Sequence, residues 1–231
     1  VLEGARAVCS EAGIALAGGH TIDSLEPVFG LAVTGSVALS HLRKNNTAQP
    51  GDLVFLTKPV GVGILSTALK RGQLDPSYYP ALVAQMTTLN SIGQSLGIMP
   101  DIHALTDVTG FGLLGHLVEM AEGSALSAEL FYGAIEKIDG LDACLQLRTI
   151  PDATFRNWNS YSSRVAFEPG VNVMEAFNVL PDPQTNGGLL IAVAESGVPE
   201  LLRLFSEHNI SAMQPVARIV DRKEKVIYVK A

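Results

Sequence analysis

The chain has 231 residues, 47% of them hydrophobic and 17% charged, with a formal net charge of −7. That composition supports a substantial core and excludes a disordered chain. The acidic balance excludes a general nucleic-acid surface, which needs clustered Lys and Arg to displace counterions.

Residues 1–13 carry apolar side chains at helical spacing (Leu2, Ala5, Val8, Cys9, Ala12), and Gly13 suits the C-cap. Because the opening Val-Leu-Glu-Gly reads as the middle of a helix and lacks Met, the chain is expected to begin inside a larger protein. A short strand is expected over 14–17, a polar loop over 20–27, and a second strand over the apolar run 28–37. Residues 40–49 are polar and basic, as a linker would be, and Pro50-Gly51-Asp52 turns into a strand over 53–57.

Beyond this point helical and strand patterns alternate. Helices are expected over 61–70, 79–96, 110–121, 138–147, 173–178 and 198–208, and strands over 102–105, 125–131 and 189–193. Residues 149–169 read as a long irregular excursion, and 212–220 with 225–230 as a closing hairpin around Asp221–Glu224. Single strands between helices make a mixed chain, and the hairpin favours α+β over a doubly wound sheet. No apolar run reaches ~18 residues, so no membrane helix is expected. Cys9 and Cys144 stand far apart and read as buried thiols rather than a disulfide scaffold.

Four segments could carry chemistry. In residues 104–116 (ALTDVTGFGLLGH), an apolar strand ends at Asp107 and a glycine-rich turn opens a helix. A carboxylate placed there can hold a hard cation together with substrate phosphates, or Asp107 or Thr109 can simply cap the helix. The same stretch spells GxGxxG from Gly110 to Gly115. As a dinucleotide site it is weak, because Asp107 would repel a pyrophosphate and Glu129 lies inside a strand pattern.

Residues 18–27 (GGHTIDSLEP) join paired glycines, which permit close ligand approach, to the polar groups of His20, Thr21, Asp23 and Glu26; a plain turn is the competing reading. Residues 181–190 (PDPQTNGGLL) form a polar loop running into a buried strand, with no evident nucleophile or base. Residues 56–63 (LTKPVGVG) resemble a phosphate loop loosely but lack the Walker pattern.

Taken together and in this order, GGHTIDSLEP, LTKPVGVGIL, TDVTGFGLLGH and DPQTNGGLL resemble the successive blocks of the selenophosphate synthetases (selenide, water dikinases). These belong to a superfamily with aminoimidazole ribonucleotide synthetase, thiamine monophosphate kinase and a hydrogenase maturation factor. Thr21 and Asn186 stand where that family often has serine, which removes no titrating group.

The resemblance implies an α+β, two-domain, aminoimidazole ribonucleotide synthetase-like architecture with the first domain truncated. Residues 1–45 would be the tail of an ATP-binding and dimerisation domain, and 46–231 a complete C-terminal domain. It implies a cytoplasmic homodimer that uses ATP, Mg²⁺, selenide and water to make selenophosphate, AMP and phosphate. By residue match, Asp107 would bind magnesium, and Gly19, His20 and Thr21 would contact ATP held by the partner subunit. The catalytic cysteine or selenocysteine, with its nearby lysine, would lie upstream of Val1, so this chain alone is expected to be inactive. A sibling synthetase or kinase, and a non-catalytic dimerisation scaffold, are the alternatives.

Overall fold

The computed structural model describes residues 1–231 as two units, Val1–Leu42 and Arg43–Ala231. The first unit is built on helix α1 (Leu2–Glu11). It ends as its spacing predicts: Gly13 takes φ 69°, and the Ile14 amide closes back on the Cys9 carbonyl at 2.9 Å. The strands expected over 14–17 and 28–37 do not form. Their apolar residues have no ladder partner within the chain, and a strand exists only through its neighbour's hydrogen bonds. Only Ala5 and Cys9 of this unit are buried.

The second unit runs β1 (Leu53–Leu56), α2 (Val62–Lys70), α3 (Tyr79–Thr87), α4 (Gly93–Ile98), β2 (Ile102–Asp107), α5 (Gly112–Gly123) and β3 (Ser127–Phe131). It continues with α6 (Leu141–Gln146), α7 (Asp152–Tyr161), β4 (Val165–Phe167), α8 (Val173–Val179), β5 (Leu189–Val193), α9 (Val198–Glu207), β6 (Ala217–Val220) and β7 (Ile227–Lys230). One seven-stranded mixed sheet has the order β2-β5-β1-β6-β3-β7-β4. The pairs from β2 to β3 are antiparallel, and β7 is parallel to both β3 and β4. The chain is therefore α+β.

Side-chain alternation sorts the strands between two cores. Val54, Leu56, Leu190, Ala192, Ile219, Leu130 and Val229 face a large cluster with Leu65, Leu82, Leu113 and Leu117 of the helices. Phe55, Ile191 and Val193 face the opposite cluster, closed by Leu96, Leu201 and Phe205, where Phe55 and Phe205 meet edge-on at 6.0 Å. Strand β5 is buried along its whole length, as a strand covered on both faces should be. A register shift between Ile102 and Ala104 places these two residues in opposite cores.

Three expectations are corrected. The helix expected over 79–96 breaks at Thr88, which is extended (φ −66°, ψ 123°). Its carbonyl there is taken by the side chains of Lys58 and Asn186. The excursion 149–169 is regular structure for most of its length: helix α7, a short 3-10 turn and strand β4. The inward face of α7 is Thr154, Asn157 and Tyr161, so its periodicity is written in polar residues. The closing hairpin is absent: β3 lies between β6 and β7. The Ser127 hydroxyl pins the crossover by donating to Lys225 O and accepting from Lys223 N. Both cysteines are free and buried, as expected.

Candidate functional site at the glycine-rich end of the sheet

Strands β1 and β2 both run antiparallel to β5. Their C-terminal ends and the N-terminal end of β5 therefore meet at one end of the sheet, which brings together three of the four motifs. Asp107 is paired with Leu189. On the other side of β5, Thr57 N donates to Leu189 O at 3.1 Å, and Leu189 N donates back to Thr57 Oγ1 at 2.8 Å.

The glycines are there because the loops lie against one another. A Cβ at Gly187 would stand 2.2 Å from Val108 O, one at Gly188 2.5 Å from Lys58 N, and one at Gly63 2.5 Å from Asp182 Oδ1. Backbone bonds join the same segments: Val108 N to Gly188 O at 2.9 Å and Gln184 N to Thr109 O at 3.0 Å. The loop before β5 is also clamped to the α3–α4 break. Asn186, at φ 51°, donates to Met86 O and Thr88 O, and Asn90 donates to Gly187 O at 2.9 Å.

This loop also closes helix α2. Gln184 Oε1 accepts from Gly61 N and Val62 N, each at 3.2 Å. The Asp182 carboxylate accepts from Gly63 N at 3.0 Å and from Ile64 N. The N–H groups that a helix start leaves unpaired are thus satisfied by side chains about 120 residues away in sequence. Asp182 is fully buried, and burial pushes its carboxyl up to about 8 against these hydrogen bonds. Lys58 Nζ donates to Thr88 O at 2.7 Å and Asn186 O at 3.0 Å. Burial lowers this ammonium to about 8. Lys58, Asp182 and Gln184 were not singled out from sequence, because their environment is assembled by segments far apart in the chain.

Asp107 itself is exposed. Neither Asp107 nor Thr109 caps α5, which begins after Phe111 with no side-chain cap; Leu180 O instead accepts from Leu114 N at 3.0 Å. Two of the three GxGxxG glycines serve packing, and Gly110 faces open space. Gly112 is at φ 71° with a Cβ position 2.6 Å from Pro181 C, and Gly115 lies against Phe111 and Tyr161. Since β2 pairs antiparallel with its neighbour, the segment lacks the parallel βαβ setting of a dinucleotide site.

Magnesium takes one or two carboxylates and completes its shell with phosphate oxygens and water. Asp107, a carboxylate without a hydrogen bond at the end of a rigid sheet, fits as one such ligand. No group of three or more His, Cys, Asp and Glu side chains forms a cage of protein ligands alone. Gly19, His20 and Thr21 belong to the first unit, where they line a cleft of about 740 Å³ with Arg6, Asp23 and Glu26.

Residues 49–230 match the family model described as AIR synthase related protein, C-terminal domain. The chain belongs to this AIR synthase-related family. It is 46% identical over 219 residues to a selenide, water dikinase of Aeromonas salmonicida (strain A449), covering 95% of this chain and 62% of that protein. It is 45% identical over 229 residues to a selenide, water dikinase of Pseudomonas putida KT2440, covering 99% and 65%. The chain thus spans somewhat under two thirds of these relatives.

Among solved structures, the fold is similar to that of a thiamine-monophosphate kinase of Stenotrophomonas maltophilia K279a. The TM-score is 0.58 at 17% identity, over 84% of this chain and 54% of that one. Escherichia coli HypE, a hydrogenase maturation protein, matches with TM-score 0.58 at 18% identity, over 82% and 49%. At these identities the likeness shows the fold. No helix is long and apolar enough to cross a membrane.

Proposed function

We propose that this chain is the C-terminal part of a cytoplasmic, homodimeric selenide, water dikinase. The enzyme would convert ATP, selenide and water into selenophosphate, AMP and phosphate. The observation that carries the reading is the 44–46% identity to selenide, water dikinases over 95–99% of this chain. The matched proteins are longer, which supports placing the selenide-handling group upstream of Val1 and leaving this chain inactive by itself. In this reading residues 1–45 are the tail of the ATP-binding and dimerisation domain.

Phosphoryl transfer is mainly a matter of positioning and charge neutralisation. Asp107 would hold Mg²⁺, with its backbone fixed by β5 and its carboxylate free of internal partners. Bound Mg²⁺ would neutralise charge on the nucleotide phosphates during transfer. Gly19, His20 and Thr21 would approach ATP bound mainly by the partner subunit, the paired glycines permitting main-chain contact.

The test is ATP turnover by the complete protein with selenide compared against other acceptors. Selenide-dependent AMP and selenophosphate formation supports the reading; turnover with another acceptor and none with selenide overturns it.

A further inference from the structure

Asp107 reaches solvent from the last position of β2, and the two residues that follow it are held by several hydrogen bonds. Val108 N donates to Gly188 O at 2.9 Å, and Thr109 O accepts from both Gln184 N and Gly112 N at 3.0 Å. These are main-chain bonds. The Thr109 amide instead donates at 3.0 Å to a side chain, the Nε2 atom of His116, which also lies 3.2 Å from Thr109 Oγ1.

His116 sits on the buried face of α5 and is 6% exposed. A backbone amide can only donate, so Nε2 must carry its lone pair towards Thr109. The ring proton is then on Nδ1, which has no hydrogen-bond partner. The nearest carboxylate oxygen, Glu119 Oε2, is 3.6 Å away, close enough for attraction and too long for a hydrogen bond. The Phe111 ring lies beside the imidazole, tilted by 56° with 5.9 Å between centroids.

We propose that His116, as the neutral Nδ1–H tautomer, is a positioning residue that fixes the Asp107–Thr109 turn so that the Asp107 carboxylate is presented to Mg²⁺. This rests on the reading of Asp107 given above. A ring that accepts from Thr109 N adds no positive charge behind Asp107 and leaves no buried amide unpaired. Burial outweighs the opposing pull of the Glu119 and Asp107 carboxylates and lowers the His116 pKa, which acts in the same direction.

The experiment compares His116→Gln, whose amide oxygen reaches the position of Nε2, with His116→Asn, whose shorter amide does not. In the complete protein, ATP turnover is measured across Mg²⁺ concentration, with thermal unfolding as a check on the fold. His116→Asn is expected to raise the Mg²⁺ concentration for half-maximal turnover about tenfold, the scale of one lost hydrogen bond. His116→Gln is expected to restore it to within about threefold of the parent. A purely structural role would lower the unfolding temperature of both variants and leave the Mg²⁺ midpoint in place, which overturns the proposal. Asp107→Asn is run alongside. If it leaves Mg²⁺ dependence unchanged, the reading of Asp107 falls and the positioning role with it. If Asp107→Asn acts and His116→Asn does not, only the positioning role falls. Nitrogen NMR of the 231-residue chain gives an independent readout: a proton found on Nε2 rather than Nδ1 overturns the proposal at any activity.

Discussion

Asp182 and Gly63, 119 residues apart in sequence, are joined by a 3.0 Å hydrogen bond from the Gly63 amide to the Asp182 carboxylate. The bond fastens the loop before β5 to the first turn of α2. It also requires glycine at 63, since a Cβ there would lie 2.5 Å from the second carboxylate oxygen. That second oxygen is buried with no partner, so folding favours the protonated acid.

The sign of the resulting pH dependence follows from linkage. Asp182 has an ordinary carboxylate pKa when unfolded and is raised to about 8 when folded. The folded state therefore binds the proton more tightly. Its contribution to stability is complete below the unfolded value and is lost as pH rises towards 8. His116, lowered by burial, acts in the opposite sense around its own titration, so the difference between variant and parent is the useful quantity. Asp182→Asn keeps an acceptor for Gly63 and cannot ionise. Its stability relative to the parent is expected to improve steadily from pH 5 to 8 in urea unfolding. Parallel profiles would show that Asp182 is not the titrating group.

Gly187 and Gly110 occupy comparable glycine-rich loops and differ in what surrounds them. A methyl at Gly187 meets the Val108 carbonyl at 2.2 Å, main chain that cannot step aside, while nothing lies within 4 Å of one at Gly110. Gly187→Ala is expected to cost about 3 kcal/mol or more, and Gly110→Ala less than about 1 kcal/mol. Chemical denaturation of the two variants measures both; equal losses would mean that the loops are not pressed together as described.

Asp107→Asn removes one charge from an exposed side chain that makes no hydrogen bond, so the unfolding midpoint is expected to stay unchanged. In the complete protein, Mg²⁺-dependent ATP turnover should fall about a hundredfold, the usual scale for losing one charge-stabilising group. Full turnover at limiting Mg²⁺ would remove Asp107 from the metal site.

His20→Ala is expected to weaken nucleotide binding by the complete protein. In mixed dimers of variant and parent subunits, the defect should appear at the site completed by the variant's loop. Isothermal titration with a non-hydrolysable ATP analogue tests this. Unaltered affinity in the His20→Ala protein would separate the Gly19–Thr21 loop from the nucleotide.

Within residues 43–231 most strands and helices with apolar periodicity were legible in the sequence, as was the Gly13 cap of α1, whereas the apolar runs 14–17 and 28–37 suggested strands that do not form. Helix α7 was not legible, because Asn157 spends an inward position on bonds to Gly110 O and Pro181 O, where an apolar pattern would carry a hydrophobe. The β6–β7 pairing was misread because adjacency along the chain suggested a hairpin, while β3, about 90 residues earlier, takes the place between them. At the candidate site, Asp107 could be picked out because strand, carboxylate and glycines are contiguous. The roles of Lys58 and Asp182 could not, since each depends on which distant loop the fold brings against it.

Both hydrophobic clusters are built from residues between Ala48 and Val229. Residues 1–42 bury only Ala5 and Cys9, and they expose Leu25, Val28, Val33 and Leu39. Every apolar contact of the seven-stranded core should therefore survive removal of 1–42. Residues 43–231 are expected to unfold cooperatively, with a midpoint within about 3 °C of the longer chain's. The exposed apolar side chains of 1–42 make that segment the natural source of self-association. In sedimentation velocity, the 231-residue chain should associate with concentration and residues 43–231 should remain monomeric. A shorter chain that fails to fold would show that residues 1–42 belong to the core, and one that associates as strongly would show that the sticky surface lies within 43–231.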